Sequence, residues 1–244
     1  MSLESAVLTP EERHMLDESV LVRHVLEEQY RDLRQQHEAA SLGMWIFLAT
    51  EVMFFGTLFL GVAVYRTVYP VEFEKGSEKL NWVIGGINTV VLLVSSLFMV
   101  LAVHYAKAGA SKAIARCLTV TALLGLTFLV LKGFEYYIDY KESLIPGWKF
   151  NDSDWTANEG LRPEQVPHVK LFLLFYWIMT ATHGLHVTIG IIAVAAMAVL
   201  ARRGHFSPQY YSPVDVTALY WHFVDVIWIF LLPMLYLMSS HSLR

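Results

Sequence analysis

The chain has 244 residues, 55% of them hydrophobic and 16% charged, with a mean hydropathy of +0.45 and a formal net charge of −4 at pH 7. That balance is too apolar for an ordinary soluble domain, and the charge is too small and scattered to argue for nucleic acid. A lone cysteine, Cys117, excludes an intrachain disulfide and a cluster of thiolate ligands.

Residues 1–41 differ in kind from the rest of the chain. Thr9 reads as a helix cap, with Pro10 at the first helical position and Glu12 three residues after the cap. Met15, Val22, Leu26 and Leu33 then recur at helical spacing among charged residues. This predicts a cytoplasmic amphipathic helix on the membrane or on a partner, with a solvated tail as the alternative. The segment lacks the apolar core and cleavage site of a secretory signal, so insertion is expected to rely on the first membrane helix.

Five apolar runs come next, near 42–65, 82–106, 116–138, 169–201 and 215–239. Each is long enough to cross a hydrocarbon layer of about 30 Å as a helix. The fold class is therefore an all-α membrane protein, a bundle of five transmembrane helices over 42–240 behind the amphipathic segment. Pro233 is expected to kink or loosen the last span. Gly85, Gly86, Gly125, Gly184 and Gly190 suit close helix packing. The stretch Asp139 to His168, with Trp148 and Trp155, is long for a bundle connection and reads as an external cap or a docking surface. Lys107, Lys112, Arg116, Arg202 and Arg203 lie in gaps poor in acids. That bias places the N-terminus in the cytoplasm and the C-terminus outside.

Ionisable groups within apolar runs are costly, so each is a functional hypothesis. They are Glu51, His104, Lys132, Glu135, His183, His186, His222 and Asp225. Lys132 and Glu135, three apart, share a helix face and read as a neutralising pair at the membrane interface. His183 with His186, and His222 with Asp225, are spaced in the same way. Imidazoles on one face invite a metal or haem reading. Against it, the HxxxH and HExxH patterns of helical zinc sites are missing. In antiparallel helices, His186 and His222 also differ in depth by roughly 12 Å at 1.5 Å per residue. No phosphate loop, nucleophile elbow or carboxylate relay is visible. The residues thus favour a structural role, with His and Asp hydrogen-bonded across helices and Glu51 neutral or paired with an imidazole or a bound headgroup.

Four segments in order resemble the cytochrome c oxidase subunit III family. They are FLATEVMFFG with Glu51, KGFEYY with Glu135, THGLHVTIG with His183 and His186, and WHFVDVIWIFLLPMLY with His222 and Asp225. The resemblance implies a non-catalytic accessory subunit of a bacterial haem-copper terminal oxidase, part of aerobic respiratory electron transport in the plasma membrane. It implies no cofactor in this chain, with haem and copper in the partner catalytic subunit I. It also implies bound phospholipid and support of assembly, lipid retention and proton uptake. Glu51, His183, His186, His222 and Asp225 would form the lipid-binding or buried polar network. Many family members have seven membrane helices; the two missing here would precede the first span and form one wall of the lipid cleft. The accessory subunit of a nitric oxide reductase is the alternative within the family. A haem-binding membrane cytochrome or a small transporter is the alternative outside it. No motif names the electron donor, cytochrome c or quinol.

Overall fold

The computed structural model describes residues 30–147 and 150–238. The expected cap at Thr9 and the apolar stripe from Met15 to Leu26 lie outside the described residues, as does Trp148. Among the described residues there are seven helices: α1 Leu33–Val68, α2 Pro70–Glu78, α3 Trp82–Lys107, α4 Ser111–Lys141, α5 Asp152–Ala157, α6 Val166–Arg202 and α7 Ser212–Tyr236. Of these, α1, α3, α4, α6 and α7 are long and apolar enough to cross a membrane. Helix α1 starts at Leu33, ahead of the expected 42, because the Asp32 carboxylate caps it by accepting the Gln35 N–H at 2.7 Å. Asn81 caps α3 in the same way, taking the N–H groups of Val83 and Ile84.

The spans run up and down, and α7 is the hub, packing on α1, α3 and α6, while α4 packs on α3 and α6. Half of the most apolar window of α7 is buried, against 17% of that of α1. Within a hydrocarbon layer apolar burial gives little drive, so close fit and hydrogen bonds hold helices together. Three α7 side chains supply those bonds to α3. Trp221 Nε1 donates to Ser95 Oγ at 2.9 Å, Trp228 Nε1 donates to Thr89 Oγ1 at 3.0 Å, and His222 Nδ1 lies 2.8 Å from Ser96 Oγ.

Close fit comes from glycine where a neighbour is too near for any side chain. A Cβ on Gly125 of α4 would stand 2.6 Å from the Trp221 ring, and one on Gly85 of α3 would stand 2.7 Å from Leu232. Gly190 likewise faces Trp221, at 3.0 Å. Gly86 and Gly184, also expected at helix contacts, face open space. Helix α7 runs through Pro233 as far as Tyr236. The turn from α3 to α4 needs Gly109, whose φ of +73° is left-handed and which sits against Pro208.

At the opposite end an ordered cap closes the bundle. Helix α2 folds back on α6 through Phe73 and Phe172. The connection after α4 is pinned by buried Leu144, Trp155 and Leu161. Lys79, at the C-cap of α2, and Lys75 within it reach Glu159 at 2.5 and 3.4 Å, and Lys75 also pairs with Glu78 at 2.9 Å. The hydrogen bond from Lys79 holds the Glu159 carboxyl below its ordinary value of 4.5, and that with Glu78 raises Lys75.

Gly125→Leu is expected to destabilise the protein by about 1–3 kcal/mol, because the Trp221 ring is fixed by Ser95 and cannot withdraw. Gly133→Leu on the same helix, with nothing within 4 Å of its Cβ, should be close to neutral; thermal unfolding of the two purified variants checks the contrast. A carboxyl whose folded pKa is depressed stabilises above its ordinary pKa and loses that contribution as pH falls through the folded value. Amide protection around Trp155 and Leu161, corrected for intrinsic exchange, should therefore drop below pH 4.5. Glu159→Gln should show the loosened cap already at neutral pH.

Candidate functional site

Helical spacing decides which of the singled-out groups meet, and six of the eight fall into three separate sites. The first joins α1 to α6. His186 Nε2 lies 3.1 Å from Glu51 Oε2, and its Nδ1 lies 2.8 Å from the Thr182 carbonyl oxygen. A carbonyl only accepts, so Nδ1 carries a proton, and Nε2 and Oε2 hold the second hydrogen bond between them. Phe55 packs edge-on to the imidazole, and the Tyr220 hydroxyl donates to the His186 carbonyl at 3.0 Å. Glu51 therefore has the imidazole partner its sequence context allows.

The second site is the contact of α7 with α3. His222 meets Ser96, and Asp225, one turn on, is buried with its Oδ1 lacking a protein hydrogen-bond partner. His186 turns toward α1 and His222 toward α3, so the two imidazoles serve different helices. His183 sits in the core between Phe128 and Trp228, ring centroids 5.6 and 5.2 Å away, and neither ring nitrogen has a protein hydrogen bond. His104 lies at the exposed end of α3, edge-on to Tyr105. Among the described residues no three His, Cys, Asp or Glu side chains converge as a ligand set.

The third site is larger than the sequence indicated. Lys132 and Glu135 pair at 3.1 Å, as their spacing predicts, but their side chains are 4% and 1% exposed, enclosed by the bundle rather than open at an interface. Asp139, expected at the start of a loop, belongs to α4 and is buried one turn beyond Glu135. From α6, the Tyr176 hydroxyl contacts Lys132 Nζ at 3.2 Å, Glu135 at 3.2 Å and Asp139 at 2.7 Å. From α7, the Tyr236 hydroxyl contacts Lys132 and lies 2.6 Å from Glu135. The ammonium is ion-paired with Glu135 and donates hydrogen bonds to the Tyr176 and Tyr236 hydroxyls. The rings of Tyr136, Tyr176, Trp228 and Tyr236 lie around the same nitrogen at 4.8–5.5 Å. One cation thus pairs with one carboxyl from its own helix and binds two phenols from its neighbours, and Tyr176 carries the contact on to Asp139. Asp139, Tyr176 and Tyr236 were not singled out from sequence. The readable signal was the i, i+3, i+7 spacing of Lys132, Glu135 and Asp139; the phenols had none.

Comparison with known proteins finds matches along most of the chain. The family model for cytochrome c oxidase subunit III matches residues 170–240, which hold His183, His186, His222 and Asp225. The quinol oxidase subunit 3 of Bacillus subtilis is 31% identical over 207 residues, covering 83% of this chain and 88% of its own. The cytochrome c oxidase subunit 3 of Thermostichus vulcanus is 31% identical over 203 residues, covering 81% and 87%. That of Synechocystis sp. is 28% identical over 197 residues, covering 80% and 74%.

Removing one partner of a buried ion pair leaves an uncompensated charge, which costs about 3–5 kcal/mol. Lys132→Met should therefore destabilise the subunit severely, while Lys132→Met with Glu135→Leu should recover part of the loss. Thermal melts of the two variants in detergent check the order.

Proposed function

The chain belongs to the cytochrome c oxidase subunit III family, and from that membership we propose that it is a non-catalytic accessory subunit of a haem-copper terminal oxidase. The observation that carries this reading is the likeness to the Bacillus quinol oxidase subunit, which spans 83% of this chain. The relatives include subunits of both cytochrome c and quinol oxidases. What their names share is an oxidase, and that shared part is what is carried over.

The site chemistry supports an accessory role. Glu51 is bonded to His186, His222 to Ser96, and Lys132 to Glu135 and two tyrosines. These groups fasten helix to helix. In this reading haem and copper reside in the catalytic subunit, which covers part of the open face of the bundle. Helix α1, the least buried span, carries Glu51 beside that face and offers the surface on which phospholipid and partner subunits would be held. Proton uptake belongs to the neighbour, and this subunit would sustain it by keeping the complex and its lipid intact.

The two ends of the bundle differ in charge. One carries Lys107, Lys112, Arg116, Arg202 and Arg203 with few acids, and the other mixes Lys75, Lys79, Lys141 and Lys170 with many acids, among them Glu72, Glu78, Asp152 and Glu159. The positive-inside rule puts the basic end, where α1 starts, in the cytoplasm and the acidic cap outside the plasma membrane.

His222→Ala should lower the yield of assembled oxidase recovered through a tag on this chain, because α7 loses a bond to α3. Haem per assembled complex should stay unchanged. Loss of haem from complexes of normal subunit composition, or stoichiometric haem on this chain purified alone, would overturn the reading.

A further inference from the structure

At the basic end of the bundle a pocket of about 530 Å³ opens between the first turns of α4 and the last turn of α6. Lys112 and Arg116, one turn apart on α4, line it together with Arg202 of α6 and Thr119. The Arg202 guanidinium donates to Thr119 Oγ1 at 3.2 Å, which draws it across from α6 toward α4. Among the described residues none of these three cations forms an ion pair. Like charges four residues apart on a helix repel, and a third cation drawn toward them adds to that cost. The cluster, exposed at the end of the bundle, therefore favours an anion from outside it.

The surroundings decide what kind of anion. The pocket walls include Ala115 and Val120, and both helices leave it as exposed apolar stripes. Arg116 is followed at helical spacing by Leu123 and Val130, and Arg202 is preceded by Val199 and Ile192, all of them exposed. Cations thus sit where the spanning helices meet the headgroup layer, directly above surface suited to acyl chains. We propose that this pocket is a headgroup site for an anionic phospholipid, its phosphate held by Lys112, Arg116 and Arg202 and its chains laid along α4 and α6. A basic pocket between spanning helices is the general form of such recognition. Free phosphate offers the same oxygens but leaves the stripes unused. The site involves α4 and α6, not α1, beside which the family resemblance places its lipid cleft. It depends only on the chain crossing a membrane, so it can fail or hold independently of the oxidase reading.

The test uses the complex purified through a tag on this chain, with native mass spectrometry of the released subunit. Added phosphatidylglycerol should give an adduct on the chain, phosphatidylcholine should not, and excess inorganic phosphate should not displace it. Lys112→Gln with Arg116→Gln and Arg202→Gln should weaken that adduct about 100-fold. Arg31→Gln with Arg34→Gln and Lys107→Gln, an equal loss of charge at the same end, should leave it unchanged. A photoreactive phosphatidylglycerol should label wild-type peptides containing Arg116 and Arg202, a readout that needs no variant. Equal binding of the zwitterionic lipid, an undiminished adduct in the first triple variant, equal loss in the second, displacement by phosphate, or label only elsewhere would each overturn the proposal.

Discussion

The seam between α3 and α7 is the contact on which the arrangement of this bundle depends. In a hydrocarbon layer neither helix gains by hiding leucine from lipid, so what selects one face over another is a polar atom that needs a partner. Trp221, His222 and Trp228 leave α7 on the side of α3 and meet Ser95, Ser96 and Thr89. Each such bond contributes only about 0.6 kcal/mol on average. Three in register nevertheless fix both the rotation and the depth of α7. Once α7 is set, the Trp221 ring defines how near α4 and α6 must come, which is why Gly125 and Gly190 lie against it. The same register carries Tyr236 to the level of Lys132.

That second consequence explains how a charged group survives inside the bundle. An ammonium and two carboxyls on one face of α4 would be costly if α4 faced lipid there. Helix α4 instead turns this face inward, and the hydroxyls of Tyr176 and Tyr236 complete the coordination of the ammonium while four aromatic rings exclude water. The network ties three helices at the capped end, where α2 and α5 also close over the bundle. At the other end the turns are short, and the cations around Arg116 and Arg202 lie at the surface. One bundle therefore treats charge in two ways, by internal pairing beneath the cap and by presentation at the basic end.

The five spans were legible because length and apolarity alone decide whether a helix can cross a membrane. The pairing of Lys132 with Glu135 was legible because it lies within one helix, where spacing fixes geometry. Contacts between helices were less so. Ser95, Ser96 and Thr89 look like filler in an apolar run, and nothing in a linear pattern gives the rotation of α3 against α7. For the same reason glycines could be noticed but not sorted: Gly85, Gly125 and Gly190 face neighbours, whereas Gly86 and Gly184 do not. Asp139 was assigned to a loop because charge was taken as the end of the span, while α4 continues past it to Lys141 with the carboxyl turned inward.

Proton accounting at Glu51 and His186 bears on whether an intramembrane carboxyl of this kind can relay protons. Since His186 Nδ1 must donate to the Thr182 carbonyl, one proton remains for the bond between Nε2 and Glu51 Oε2. Whether that proton sits on nitrogen or on oxygen, the pair as a whole is neutral. A charge without a counter-ion beside Phe55 in the apolar layer is costly. A relay would also need a next acceptor within reach. The nearest imidazole along α6 is His183, one turn away, but it is closed in by Phe128 and Trp228 and hydrogen-bonded to no protein group. Glu51 and His186 thus bond α1 to α6. A neutral pair of this sort lets the least buried span remain attached to the bundle with its outer face free for lipid or for a neighbouring chain.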